Sequence, residues 1–122
     1  MNKKVLIIED DVFLRGLEEK KLLHEGFVVT AVESAEKAVE WIEKETPDII
    51  LLDLLLPGMD GYSFLQKVRE NLNLREKPVI VFSNIADVGG IKKAKDLGAN
   101  DFMIKSNFTL EELVERMKGL LK

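Results

Sequence analysis

The sequence predicts an α/β domain in which five parallel strands form a sheet covered by helices on both faces. Short apolar runs alternate with amphipathic segments, the runs are mostly aliphatic or β-branched, and turn or charged residues bound them. This alternation is typical of a doubly wound (βα)₅ fold. With 122 residues the chain has room for one such domain and for no second one of ordinary size.

The strands are predicted from the apolar runs. Each run is shorter than the roughly 10–12 residues of an ordinary helix, and its composition suits a strand that is buried on both faces. The predicted strands are Val5–Ile8, Phe27–Val32, Asp48–Leu52, Pro78–Phe82 and Phe102–Ile104.

The last helix has the clearest pattern. Thr109 and Glu112 form a capping box, and Phe108 and Leu113 occupy the positions of a hydrophobic staple. An apolar stripe at helical spacing then continues to the end of the chain. We therefore expect a helix that runs to Lys122, and a domain of residues 1–122 that stands alone.

The other helices are predicted from their caps and stops. Ser34 and Asp60 are the predicted N-caps of the second and third helices. Gly26 and Gly98 are expected to end the first and fourth helices. The fourth helix, between Asp87 and Leu97, has the weakest pattern because two glycines lie near its start.

The composition excludes several classes of function. The chain has no cysteine, which excludes disulfide frameworks, thiolate metal sites and cysteine nucleophiles. A single histidine excludes a multi-histidine metal site within one chain, and the net charge of −4 argues against a nucleic-acid surface. No run approaches the roughly 18 apolar residues of a membrane span or the roughly 7–15 of a secretory signal. We expect a cytoplasmic protein that contacts neither membrane nor nucleic acid.

Polar side chains follow four of the predicted strands. Glu9 and Asp10 come after the first strand, Asp53 after the third, Ser83 after the fourth and Lys105 after the fifth. In a flavodoxin-like strand order, 2-1-3-4-5, ligands bind outside the sheet between the first and third strands, so the three acids are expected to converge there. Clustered carboxylates repel one another unless a cation joins them, and all-oxygen ligands favour Mg²⁺.

Together these groups suit phosphoryl transfer. The Asp53 carboxylate would attack, while a metal and the Lys105 ammonium offset the charge on the transferring group. Taken singly, each residue also has a non-functional interpretation. Asp53 could be a solvated loop residue, Ser83 a turn residue and Lys105 a surface charge. Their conjunction at four strand ends favours a site.

In these strand-end residues and the segments around them, the sequence resembles the receiver domain of two-component response regulators, of the stand-alone, single-domain type. The resemblance covers essentially the whole chain. It rests on four segments: Val5–Asp11, Asp53–Gly61, Phe82–Ser83 and Gly98–Lys105.

The resemblance implies how the chain would take up phosphate. Asp53 looks like the phosphoacceptor, which takes a phosphoryl group from a phosphohistidine. Lys105 looks like the lysine that pairs with the phosphoryl group, and Ser83 like the switch hydroxyl that bonds a phosphoryl oxygen. Phe102 looks like the aromatic side chain that turns inward as Ser83 moves.

The resemblance also implies a metal and partners. Asp10, Asp53 and the backbone carbonyl of Leu55 look like Mg²⁺ ligands, and Glu9 looks like the acid that holds the metal largely through water. The donor would be a sensor histidine kinase or a phosphotransfer protein. An unidentified downstream protein would dock on the face formed by helix 4, strand 5 and helix 5.

The sequence departs from the family pattern next to the site. Ser106 follows Lys105 where the family usually has a proline after a cis bond, and Asn84 replaces a small residue. The Asn84 amide would reach the phosphoryl group or crowd the way to it. Leu55 and Ile85 resemble positions that tune water access to the phosphoaspartate, and both are apolar, so we expect slow autodephosphorylation.

Three other functions compete with this interpretation. A receiver-like interaction module that works without phosphorylation is favoured by Ser106 and opposed by the intact acids, Ser83 and Lys105. A small aspartate-based phosphatase would need a covering insertion, for which the chain has no room. A flavin-binding protein would need a hydroxyl-rich phosphate loop after the first strand, where acids stand instead. We therefore expect no dedicated enzyme beyond Mg²⁺-dependent self-phosphorylation and autodephosphorylation.

Overall fold

The computed structural model describes residues 2–122 and has alternating strands and helices throughout. A 3-10 turn, Lys105–Asn107, lies between the last strand and the last helix. The strands β1–β5 are Lys4–Ile8, Val28–Val32, Ile49–Leu52, Val79–Ser83 and Asp101–Ile104. The helices α1–α5 are Val12–His24, Ala35–Ile42, Gly61–Glu70, Val88–Asp96 and Leu110–Leu120.

All strand pairs are parallel, and the strand order is β2-β1-β3-β4-β5, which confirms the predicted topology. Successive strand residues face opposite sides of the sheet, so each face has its own core. Leu6 and Ile8 pack with α2, α3 and α4, whereas Val5 and Ile7 pack with α1 and α5. Within the described residues, no helix has the length and apolar character needed to cross a membrane.

Three strands begin one residue later than predicted. Pro78 has no N–H to give to the ladder, and β4 starts after it. The Phe27 amide donates to Leu22 and so closes the end of α1 before β2 starts. The Asp48 side chain accepts a hydrogen bond from the first amide of β1, and the ladder of β3 begins after it. The first and last strands, in contrast, each start one residue earlier, at Lys4 and Asp101.

Side-chain caps fix where the helices begin. Ser34, Asp60 and Thr109 accept hydrogen bonds from backbone amides in the first turns of α2, α3 and α5, as predicted. Asp11 caps α1 in the same way. Asp87 caps α4 through an amide of that helix's own glycine pair, which explains how a helix with a weak apolar pattern starts at a defined place.

Candidate functional site

The polar side chains at the strand ends lie together at the carboxyl edge of the sheet. Glu9 and Asp53 are only 1% and 4% exposed, and Ser83 is fully buried. The ladder continues past β1 and β3: the Glu9 amide donates to the end of β2 at 3.1 Å and the Asp53 amide to the end of β1 at 3.0 Å. The sheet itself therefore fixes the backbone from which both carboxylates project.

Lys105 joins the two buried carboxylates. Its Nζ lies 2.7 Å from Asp53 Oδ2 and 2.6 Å from Glu9 Oε1. Both contacts are ion pairs at hydrogen-bond distance. Burial disfavours the charge of Lys105, but its contacts with Asp53 and Glu9 outweigh burial and raise the pKa of the ammonium. The lysine is therefore a permanent cation in contact with both acids.

Three donors orient the Asp53 carboxylate. Ser83 Oγ donates to Oδ1 at 2.8 Å, and the Leu55 amide donates to the same oxygen at 3.0 Å. Lys105 donates to Oδ2. Hydrogen bonds to an ionised acceptor are about twice as strong as neutral ones, and these three come from different parts of the chain. The donors therefore fix the direction in which the carboxylate oxygens point.

Three acids could hold a divalent metal ion here. Glu9, Asp10 and Asp53 each offer a carboxylate oxygen, and these oxygens lie within 4.8 Å of one another. Burial raises the pKa of Glu9, the contact with Lys105 opposes this, and the charge of Asp53 adds to it. One ammonium offsets only part of the charge of three carboxylates, and an all-oxygen set of this kind fits a hard cation such as Mg²⁺.

The residue after Lys105 does not take the cis form. No peptide bond in residues 2–122 is cis, so the Lys105–Ser106 bond is trans, and it opens the 3-10 turn. The side-chain oxygen of Asn84 accepts a hydrogen bond from the Ser106 amide at 3.1 Å. The two departures from the family pattern are therefore in direct contact, and the Asn84 oxygen is turned toward the backbone.

The remaining predicted residues surround the site. Phe102 is half-buried and packs on the core beneath α2, α3 and α4, where Ile85 also packs. Leu55 is 54% exposed. Leu55, Ile85 and Asp10 line one side of an open cleft of about 660 Å³ beside the carboxyl edge of the sheet. The two residues predicted to tune water access thus line a cleft that Asp10 also lines.

Two residues of α1 that lie next to the site were not predicted from the sequence. Arg15, on α1, donates to the backbone oxygen of Glu9 at 3.0 Å and so steadies the acidic loop. Glu18, on the same helix, is 1% exposed, and burial followed by the charge of Glu9 raises its pKa to about 8. One signal was available: Glu18 lies in the i, i+4 stripe between Leu14 and Leu22, where an apolar residue is expected.

Known proteins share this fold along nearly its whole length. A putative response regulator from Chloroflexus aurantiacus superposes with a TM-score of 0.92 at 32% identity, covering 99% of this chain and 98% of that one. The receiver domain of a sensor histidine kinase from Pseudomonas aeruginosa, solved with magnesium in its active-site cleft, superposes at 0.89 with 30% identity, covering 99% and 98%.

Curated relatives match in sequence over about half of their own length. The transcriptional regulatory protein KdpE of Staphylococcus aureus is 37% identical over 97% of this chain and 49% of its own. The probable transcriptional regulator ycf27 of Guillardia theta is 31% identical over 98% and 46%. The sequence model of the response regulator receiver domain matches residues 5–118. The chain thus belongs to the receiver domain family of two-component response regulators.

Proposed function

We propose that this chain accepts a phosphoryl group on Asp53 from a phosphohistidine of a sensor histidine kinase or phosphotransfer protein and thereby switches the binding of a partner. One observation carries the proposal. A buried carboxylate at the carboxyl edge of the sheet is in contact with an ammonium, from Lys105, and a hydroxyl, from Ser83, beside an open cleft. These are the groups that phosphoryl transfer to a carboxylate requires.

The reaction exchanges one bond to phosphorus for another. An Asp53 carboxylate oxygen attacks phosphorus while the bond to the donor breaks, and the electron pair leaves with the donor, which takes up a proton if it is an imidazole. Lys105 then pairs with one phosphoryl oxygen. The Ser83 hydroxyl, which in the unphosphorylated structure donates to Asp53 Oδ1, donates to another phosphoryl oxygen. Both groups already touch the carboxylate, so only short side-chain movements are needed.

Glu9, Asp10 and Asp53 would hold Mg²⁺, with the Leu55 carbonyl as a further ligand. Bound there, the cation would neutralise charge that develops on the transferring phosphoryl group. The donor set supports this assignment, and so does the magnesium in the cleft of the Pseudomonas aeruginosa receiver domain.

The output would pass through the face formed by α4, β5 and α5. A phosphoryl group adds about −1.5 to −2 charges and three acceptor oxygens, and drawing the Ser83 hydroxyl toward them would free space for Phe102 to turn inward. Phe102 is half-buried on β5 and packs against the core beneath α2, α3 and α4. Phosphorylation would shift an existing equilibrium between two packings of this face, which a downstream protein would detect. We expect no direct contact of this chain with nucleic acid or membrane.

Intact-mass spectrometry after incubation with acetyl phosphate tests the proposal. We expect a Mg²⁺-dependent gain of one phosphoryl group, abolished in Asp53→Ala and retained in the control Asp96→Ala, an exposed acid paired with Lys92 on α4. Washing out the donor then gives the autodephosphorylation rate, which apolar Leu55 and Ile85 should keep slow. A wild-type protein that gains no mass would refute the proposal and favour a module that works without phosphorylation.

A further inference from the structure

The turn that carries Lys105 is held by a side chain from the neighbouring strand end. No side chain of the preceding residue caps the 3-10 turn Lys105–Asn107, so its first amides need acceptors from elsewhere. The Ser106 amide finds one in Asn84 Oδ1, at 3.1 Å and 22 residues earlier in the chain. Because Asn84 directly follows Ser83, this bond ties the end of β4 to the end of β5.

The tie closes a ring of contacts around the acceptor carboxylate. On the inner side, Ser83 and Lys105 both donate to Asp53. On the outer side, Asn84 accepts from Ser106. Asn84 is bonded to Ser83 along the chain, and Ser106 to Lys105. A movement of either strand end therefore changes both the Asn84–Ser106 hydrogen bond and the hydrogen bonds to Asp53.

The position of the Lys105 ammonium depends on its backbone. Lysine has a flexible four-carbon stem, and the ammonium reaches the carboxylates from the point where the Cα is held. The Lys105–Ser106 peptide plane adjoins that Cα, and its N–H donates to Asn84, the residue that follows β4. A proline at position 106 would have no N–H to donate.

We propose that Asn84 is a positioning residue that, by holding the Ser106 amide, places Lys105 on Asp53 and so sets the rate of phosphoryl uptake. The part of this inference that concerns rate rests on the proposed function. Asn84 and Ser106 are both exposed, so their bond is of ordinary strength, and its loss is expected to slow phosphorylation roughly two- to tenfold.

A double-mutant cycle tests the link between the two residues. Initial rates of phosphorylation by acetyl phosphate with Mg²⁺ are measured by intact mass for wild type, Asn84→Ala, Ser106→Pro and the double variant. We expect Asn84→Ala to slow the wild type and to have no further effect in Ser106→Pro, which lacks the amide donor. Equal slowing in both backgrounds, or none in the wild type, would overturn the inference. Ser106→Ala keeps the amide and should retain the wild-type rate.

A second measurement needs no phosphate. Hydrogen exchange of the Lys105 ammonium, observed by ¹⁵N NMR in the unphosphorylated protein, reports how firmly Nζ is held between Asp53 and Glu9. Asn84→Ala should speed this exchange while the circular dichroism spectrum stays native, and unchanged exchange would overturn the inference. If the wild type takes up no phosphate, the proposed function fails while this measurement still decides the role of Asn84.

Discussion

Replacing Glu18 with glutamine should protect the protein from a loss of stability that the wild type suffers as the pH rises. Glu18 lies on the buried side of α1, is 1% exposed, and its Oε1 has no hydrogen-bond partner within residues 2–122. Burial, followed by the negative charge of nearby Glu9, raises its pKa from 4.5 to about 8. Glutamine keeps the shape of the protonated side chain and has no proton to lose.

The sign and size of the effect follow from proton linkage. In the unfolded chain Glu18 ionises near pH 4.5, whereas in the folded chain it holds its proton until about pH 8. Between these values the unfolded state binds fewer protons, so the free energy of unfolding falls as the pH rises. From about pH 5 to pH 7 the loss is on the order of 2–3 kcal/mol, a large share of the roughly 5–15 kcal/mol that stabilises a typical domain.

Urea unfolding at several pH values, in buffer with a chelator, measures this loss. The single tryptophan, Trp41, packs against the core and provides the fluorescence signal. We expect the stability of Glu18→Gln relative to wild type to grow steadily from about pH 5 to pH 7. Glu40→Gln, at an exposed position on α2, is the matched control and should follow the wild type. A Glu18→Gln difference that stays constant or shrinks over this range would refute the reasoning.

Three further substitutions test the site and its support. Lys105→Met should tighten Mg²⁺ binding while slowing phosphorylation, because Asp53 and Glu9 then have no competing cation; weaker binding by calorimetry would contradict this. Arg69→Met removes hydrogen bonds to backbone carbonyls in the loops before β4 and before β5 and should cost about 2–4 kcal/mol in urea unfolding, where a cost well below that would count against it. Gly61→Ala should lower both the free energy of unfolding and the phosphorylation rate. Its Cβ would lie 2.6 Å from a backbone Cα and 2.8 Å from a backbone oxygen of the loop after β3. Wild-type stability and a wild-type rate would show instead that this loop moves aside at no cost.

The fold could be predicted because a parallel sheet covered on both faces leaves a strong pattern. Every residue of β1 after its first, and all of β3, is buried, so these strands are continuous apolar runs. Strand starts were predicted less well because the ladder also depends on hydrogen bonds from outside the strand. Phe27 is as apolar as its neighbours, yet its amide is taken by the end of α1.

The site could be predicted as far as it follows from strand ends. Glu9, Asp53 and Lys105 each follow a strand directly, so topology alone brings them together, and the structure places them in contact. Glu18 and Arg15 come from the middle of a helix, and their residue types favour an ordinary surface position, although the spacing of Glu18 places it on the apolar stripe. Their neighbours are decided by how α1 packs on the sheet, which no short segment of sequence specifies.

The balance of charge explains why these residue types belong to one set. Glu9, Asp10, Asp53 and Glu18 lie near one another with a single ammonium, from Lys105, between the two buried strand-end acids. A protonated Glu18 contributes no charge, and Lys105 offsets only part of the charge of the other three carboxylates, so a divalent cation would reduce the excess negative charge. A phosphoryl group on Asp53 would add about −1.5 to −2 more, so under the proposed function a bound cation and a shift of Lys105 toward the new oxygens would favour its uptake. Phosphorylation would thus be coupled to metal binding through charge. The position of the Lys105 ammonium would decide how much of the negative charge of the phosphoryl group it offsets and how much is left to the cation.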